Sequence, residues 1–285
     1  MKNSYKISMI VTLLFLLGSV INVSAKEKER FLPTSTKSDA AKAAYAKGID
    51  RLTNADIEPY IQAMKEALQA DPNFFMAQTH LALMGVMDRK ESNSEANIEL
   101  EKALKIPQDN LTEAEKIVRK LLVKIQEDPK ADLTPITDEL VKAYPDTREA
   151  WGLSRAVAVN IEGDQESGYR YAQKLVDLAP EFGPAHNFLG YAYMDKGEMD
   201  KAKKEFEEYL RLSPNEANAH DSMGEFYMNT GDYAKSAEHY NKAVAMGMEV
   251  SKKNAEKATA LANGEDPAKF NKEKTAQEKD DDSQR

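Results

Sequence analysis

Four histidines and an abundance of carboxylates are the side chains of this sequence that could do chemistry. His80, His186, His220 and His239 are its imidazoles, and His186 and His220 stand 34 residues apart in matching surroundings. Such a pair on adjacent helices could bridge a metal, but zinc needs further ligands and no His-Glu-x-x-His run supplies them. Packed or hydrogen-bonded imidazoles are therefore expected, with no metal site and no cofactor. Asp195, Glu198, Asp221 and Glu225 offer acid–base groups, yet such catalysis needs two carboxyls in a desolvated cleft with their pKa values driven apart. No Gly-x-Ser-x-Gly, phosphate-binding glycine loop or dinucleotide fingerprint is present. The turn from Asp195 to Asp200 lacks the dense oxygen ligands of a calcium loop. With no cysteine, thiol catalysis, thiolate metal sites and disulfides are excluded. No catalytic residue is assigned.

The elements that would position these groups repeat. GPAHNFLGYAYMDKGEMDKAKKEFEEYLRLSPNE and ANAHDSMGEFYMNTGDYAKSAEHYNKAVAMGMEV, together residues 183–250, align at a 34-residue interval. His186 falls on His220, Leu189-Gly190 on Met223-Gly224, Tyr193 on Tyr227, Gly197 on Gly231, Ala202 on Ser236 and Phe206 on Tyr240. Within each copy apolar residues recur at helical spacing, a glycine turn follows, and a second helical pattern begins. Gly190 and Ala202 lack the bulk to hold two helices apart, while Tyr193 and Phe206 fill the space beside them. A hairpin this small cannot bury its apolar face alone, so each unit needs neighbours.

Pro72, Pro107, Pro145, Pro180 and Pro214 recur at intervals of 34 to 38 residues, where proline can stop a helix. They divide the chain into six units at about 41–74, 75–109, 110–147, 148–182, 183–216 and 217–250. Thr112-Glu-Ala-Glu115 forms a capping box opening the third unit. Lys116, Lys120 and Lys124 make a stripe at helical spacing there, with Arg119 beside it. That stripe suits a solvated face, or an acidic partner. In the fourth unit Ser154-Arg155 takes the place of Leu-Gly, which leaves its register open. Residues 251–262 carry Ala255, Ala258 and Leu261 and suit a capping helix.

The ends read differently. Lys2 and Lys6, the apolar run from Ile7 to Ile21 and Val23-Ser24-Ala25 have the pattern of a signal peptide over residues 1–25. This predicts export, to the periplasm or the extracellular space, and no stable membrane insertion after cleavage. Residues 26–38 read as a flexible leader and residues 263–285 as a disordered charged tail. With 39 basic against 48 acidic side chains the chain should repel phosphate backbones, so nucleic acid is not an expected partner.

The 34-residue period, the small residues at close helix contacts and the large ones between them resemble the tetratricopeptide repeat. The resemblance implies an all-α fold, an α-solenoid of about six helix-turn-helix hairpins forming a right-handed superhelix. It also implies a concave groove lined by the first helix of each repeat and used to bind protein or peptide. Carried onto this sequence, the groove positions are Asn187, Tyr191, Met194 and Asp195 in the fifth repeat and Asp221, Glu225, Met228 and Asn229 in the sixth. No basic side chain stands there to clamp a peptide's terminal carboxylate. Acidic groups beside Tyr191, Met194 and Met228 suit a segment with basic and apolar anchors. The reading is a non-enzymatic scaffold; the alternative is a sugar- or cell-wall-processing enzyme using groove carboxylates.

Overall fold

A computed structural model describes residues 30–87 and 94–266. The expected signal peptide, residues 26–29 of the expected leader and residues 267–285 of the expected tail lie outside the described residues. Among the described residues every regular element is helical, with thirteen α-helices and no strand. They follow as hairpins: α1 (Asp39–Thr53) with α2 (Ile57–Ala70), α3 (Phe75–Met87) with α4 (Ser94–Lys105), and α5 (Glu113–Glu127) with α6 (Thr134–Ala143). Next come α7 (Arg148–Val157) with α8 (Gln165–Leu178), α9 (Gly183–Asp195) with α10 (Met199–Leu212), and α11 (Ala217–Thr230) with α12 (Tyr233–Ala245). The last helix is α13 (Lys252–Ala262). The class is that expected, all-α and built of helix-turn-helix repeats in the manner of an α-solenoid.

The helices divide into two compact units. The first comprises the described residues through Gly48 together with Glu58–Leu178, and the second Ile49–Ile57 with the described residues from Ala179 on. Local signals set the helix ends. Thr112 accepts from the Glu115 backbone while the Glu115 carboxylate accepts from the Thr112 backbone, so the capping box forms. Asp232 caps α12 through the Lys235 amide. Gly197 and Gly231, at the turns of the fifth and sixth repeats, hold φ of 74° and 80°, a conformation that side chains with a Cβ adopt at a cost.

In the second unit, Gly190 lets Phe206 approach so closely that a Cβ there would lie 2.7 Å from the ring. Gly224 does the same for Tyr240 at 2.9 Å. Ala202, Phe206, Met223 and Phe226 form one buried cluster; Ala237, Tyr240, Ala255 and Ala258 form another, which brings α13 onto α12. Ser236 donates to the Gly224 carbonyl at 2.8 Å, tying α11 to α12 at the same close approach.

In the first unit α3 is buried on nearly every side, from Phe75 through His80, as a helix in the middle of a packed stack must be. In the fourth repeat, fully buried Ser154 donates its hydroxyl to the Thr137 carbonyl. Its first helix runs on as a π-helical segment, Ala158–Glu162, and stops at left-handed Gly163. The leader expectation needs correction over residues 30–38. Leu32 and Thr36 are buried, and the segment is hydrogen-bonded to Asp71, Thr112, Glu115 and Glu149 rather than free.

Candidate partner-binding face

The expected site residues lie on α9 and α11, at positions 34 residues apart, so equivalent side chains stand next to one another on the two helices. Tyr191 and Glu225 meet: the Tyr191 hydroxyl donates to Glu225 Oε2 at 2.8 Å. The Tyr191 ring also stands edge-on to Phe206, with centroids 5.1 Å apart. Burial, and then the negative charge of Glu225, push the Tyr191 hydroxyl well above its ordinary pKa. It therefore stays a neutral donor. Asp221, one turn before Glu225, accepts from the Ser251 hydroxyl at the start of α13. Burial raises its pKa, and the Ser251 bond opposes that rise.

Other positions depart from an open face. Asn187 is only 6 % exposed, and its Oδ1 is buried without a hydrogen-bond partner. Met194 packs against the cluster of Phe206 and Phe226, and Met228 against that of Tyr240 and Ala258, so both serve the core as well as any face. The resemblance implies that these three line an open groove; adjacent repeats stack closely enough to draw them inward. Asp195 and Asn229 remain exposed at the helix ends, and Asn229 donates to the Glu225 carbonyl of its own helix at 3.0 Å.

Two participants are absent from the sequence reading. Ser222 is 1 % exposed, on the turn that carries Asp221 and Glu225, with its hydroxyl beside that of Tyr191. Ser251 lies 30 residues beyond the Asp221 that it contacts, outside the repeat alignment, where periodicity gives no signal.

The histidines do not bridge. His186 donates from one ring nitrogen to Glu205 at 2.7 Å and from the other to the Pro180 carbonyl at 2.9 Å. Two acceptors face the ring, and the Glu205 bond raises its pKa against the opposing effect of burial. In the next repeat the place of Glu205 is taken by His239, and the His220 and His239 Nδ1 atoms stand 3.2 Å apart. Burial is the main cause lowering both, and it carries His239 down to about 4, with the neighbouring His220 and Lys242 adding to the effect. One repeat position thus holds an imidazole whose pKa is raised in one copy and lowered in the next.

The basic stripe of the third repeat is largely engaged. Lys116 pairs with Glu113 and Lys120 with Glu139, each at 2.7 Å. Arg119 donates to the carbonyls of Ala103, Leu104 and Ile106, closing the C-terminal end of α4.

Comparison with known proteins agrees with the repeat geometry in the second unit. Residues 183–216 and 217–246 match the tetratricopeptide repeat family. No curated protein sequence matches the chain. Among solved structures, a thermophilic tetratricopeptide-repeat protein of Thermus thermophilus is 16% identical, covering 77% of this chain and 99% of its own, with a TM-score of 0.47. MamA from Desulfovibrio magneticus is 18% identical over 76% of this chain and 98% of its own, TM-score 0.37. PilW, a type IV pilus biogenesis factor, is 17% identical over 73% of this chain and 93% of its own, TM-score 0.42. The fold assignment rests on the helices and their close contacts described above. Among the described residues no helix is long and apolar enough to cross a membrane.

Proposed function

We propose that the chain is an exported, non-enzymatic scaffold that holds a protein or peptide against the first helices of its fifth and sixth repeats. The observation that carries this reading is the concentration of acceptors on α9 and α11. Asp221, Glu225 and the Tyr191 hydroxyl lie there, on two helices that carry no lysine or arginine. A ligand with lysine or arginine and apolar neighbours matches the acidic charge of Asp221 and Glu225 and the apolar side chains beside them. Repeats already folded and stacked reduce the ordering cost of capture. Export, to the periplasm or beyond the cell, is proposed from the pattern of residues 1–25.

Carboxylate catalysis on sugars or cell wall gains little from the geometry. Asp221 is raised by burial, yet Ser251 engages its Oδ1, and Glu225 is engaged by Tyr191. Glu113 and Glu139 of the third repeat are each paired with lysine.

The reading is tested on an array of peptides that vary basic and apolar content, probed with wild type and with Tyr191→Ala/Glu225→Lys. Basic, apolar peptides should be retained by wild type and weakened at least tenfold in the variant, a loss of about 1.4 kcal/mol. A variant with unchanged helical signal and unchanged peptide preference refutes the assignment of this face.

A further inference from the structure

Residues 30–36, before the first helix, have neither helix nor strand of their own, yet they are gripped at regular intervals by the first unit. The Arg30 carbonyl accepts from the Glu149 amide at 3.2 Å, and the Leu32 amide donates to Glu149 Oε2 at 2.6 Å. Three residues later the pattern recurs on another helix. The Pro33 carbonyl accepts from the Thr112 hydroxyl at 2.8 Å, and the Ser35 amide donates to both Glu115 oxygens at 3.0 and 3.1 Å. The starts of α7 and α5 thus each present one donor and one carboxylate to the same strap. The three-residue interval is the period of a polyproline-II chain, with Pro33 in its middle.

Side chains add a readable code. Leu32 is 2 % exposed, the Ser35 hydroxyl donates to Glu115, and the Thr36 hydroxyl donates to Asp71. The carboxylate at the centre is itself held by a chain of buried groups. Tyr45 donates its hydroxyl to Glu149 Oε1 and lies 2.9 Å from His80 Nε2, while Tyr60 lies 3.0 Å from His80 Nδ1. Because the Tyr45 proton goes to Glu149, the Tyr45 oxygen accepts from His80 Nε2. The ring nitrogens, hydroxyls and carboxylate oxygens of this relay each have a partner. Glu115, fully buried, is likewise held by amides and hydroxyls. Two buried carboxylates facing main-chain amides read an extended peptide backbone, and the Leu32 pocket and two hydroxyl contacts read its sequence.

We propose that the starts of α5 and α7, with Tyr45 and Asp71, form a binding site for an extended peptide, that residues 30–36 are its intramolecular ligand, and that this occupancy withholds the site from partners. The ligand class is an extended segment with a buried leucine followed by proline and, after one residue, two consecutive hydroxyl side chains. This site is independent of the α9–α11 face, so either assignment can fail without the other. A tethered ligand acts at an effective concentration on the order of millimolar. A free peptide whose own Kd is on the order of 10 µM is therefore excluded from the occupied site by about a hundredfold.

The test uses the full chain with Leu32→Asp and Ser35→Pro, which remove the buried leucine and one gripped amide, and a second chain with Ser35→Pro alone. A fluorescein-labelled peptide of residues 29–37 is titrated into each by anisotropy, with a Leu32→Asp peptide as control and circular dichroism to monitor helix content. The double variant should keep its helical signal and bind the wild-type peptide about a hundredfold tighter than the unaltered chain does. Ser35→Pro alone should fall between them, and the control peptide should not bind. Equal binding to wild type and variant overturns the proposal, because the site would not be occupied in cis. A folded double variant that binds no peptide also overturns it, and so does loss of helical signal in both variants, which would make the strap an obligate part of the core.

Discussion

Replacing glycine by alanine at three helical-hairpin positions should give opposite signs, because the space around each differs. At Gly152, within α7, a new Cβ meets nothing within 4 Å and φ is ordinary. Only helix propensity changes, so Gly152→Ala should stabilise by about 0.5–1 kcal/mol. At Gly190 a Cβ would stand 2.7, 2.9 and 3.0 Å from three carbons of the fully buried Phe206 ring. Overpacking costs about 1–3 kcal/mol, and the propensity gain of about 1 kcal/mol offsets only part of it. The net expectation is a loss of about 1 kcal/mol, larger for Gly190→Leu. Gly197 has open space but φ of 74°, so alanine there should lose about 1 kcal/mol through left-handed strain alone.

The two losses are separable. In a Phe206→Leu background the ring is gone, and Gly190→Ala should become neutral or stabilising, while the cost of Gly197→Ala should persist. The Gly190–Phe206 coupling energy should then be about 1 kcal/mol. Urea unfolding followed by circular dichroism reads these differences, each variant being compared in the transition of its own unit. A unit of this size should shift its Tm by a few degrees for each ~1 kcal/mol. If Gly190→Ala stabilises as Gly152→Ala does, or if its cost survives removal of the ring, the close approach of α9 and α10 is wrong.

The histidine pairs should give the second unit opposing pH responses. His239 falls from an ordinary 6.5 to about 4 in the folded state, so on acidification the unfolded chain takes up its proton first. Stability should fall between about pH 6.5 and 4, by about 1 kcal/mol at pH 5 after allowing for solvent screening at a half-buried site. His186 is raised, so its stabilisation is present below its unfolded value and is lost as pH rises through the folded one. Denaturant midpoints measured from pH 4 to 8 for wild type and His239→Gln should differ in slope in the acid range, and parallel curves would refute the buried pair. Arg119→Ala should lose about 1–2 kcal/mol by leaving the Leu104 carbonyl and its neighbours at the end of α4 uncapped. A change within 0.3 kcal/mol, measured by urea unfolding, would return that arginine to the solvated stripe.

The repeat pattern made the hairpins of the second unit legible down to single contacts. Gly190 against Phe206, and Gly224 against Tyr240, are each 16 residues apart within one hairpin, and the period of 34 shows the contact twice. The Thr112–Glu115 box was legible because capping is local. That Tyr191 and Glu225 are neighbours was legible, since they occupy one repeat position on adjacent repeats. How deeply each residue sits was not, because the burial of Asn187 and the partial burial of Met194 and Met228 depend on how closely one repeat stacks on the next. The contrast between His186 and His220 was written in the residue 19 positions later, Glu205 in one repeat and His239 in the other.

What the sequence determined by itself is whatever recurs or acts over a few residues: helical periodicity, glycine turns, a capping box, and the small-against-large contacts inside a hairpin. Those follow from backbone sterics and local hydrogen bonding. Only the tertiary structure decided the fate of residues 30–38 and the roles of Glu115 and Glu149. Their polar composition reads as solvated chain, but carboxylates 80 and 117 residues away supply the acceptors that make burial of their amides favourable. A buried acceptor has no local signature, because its value depends on which donor the fold delivers to it.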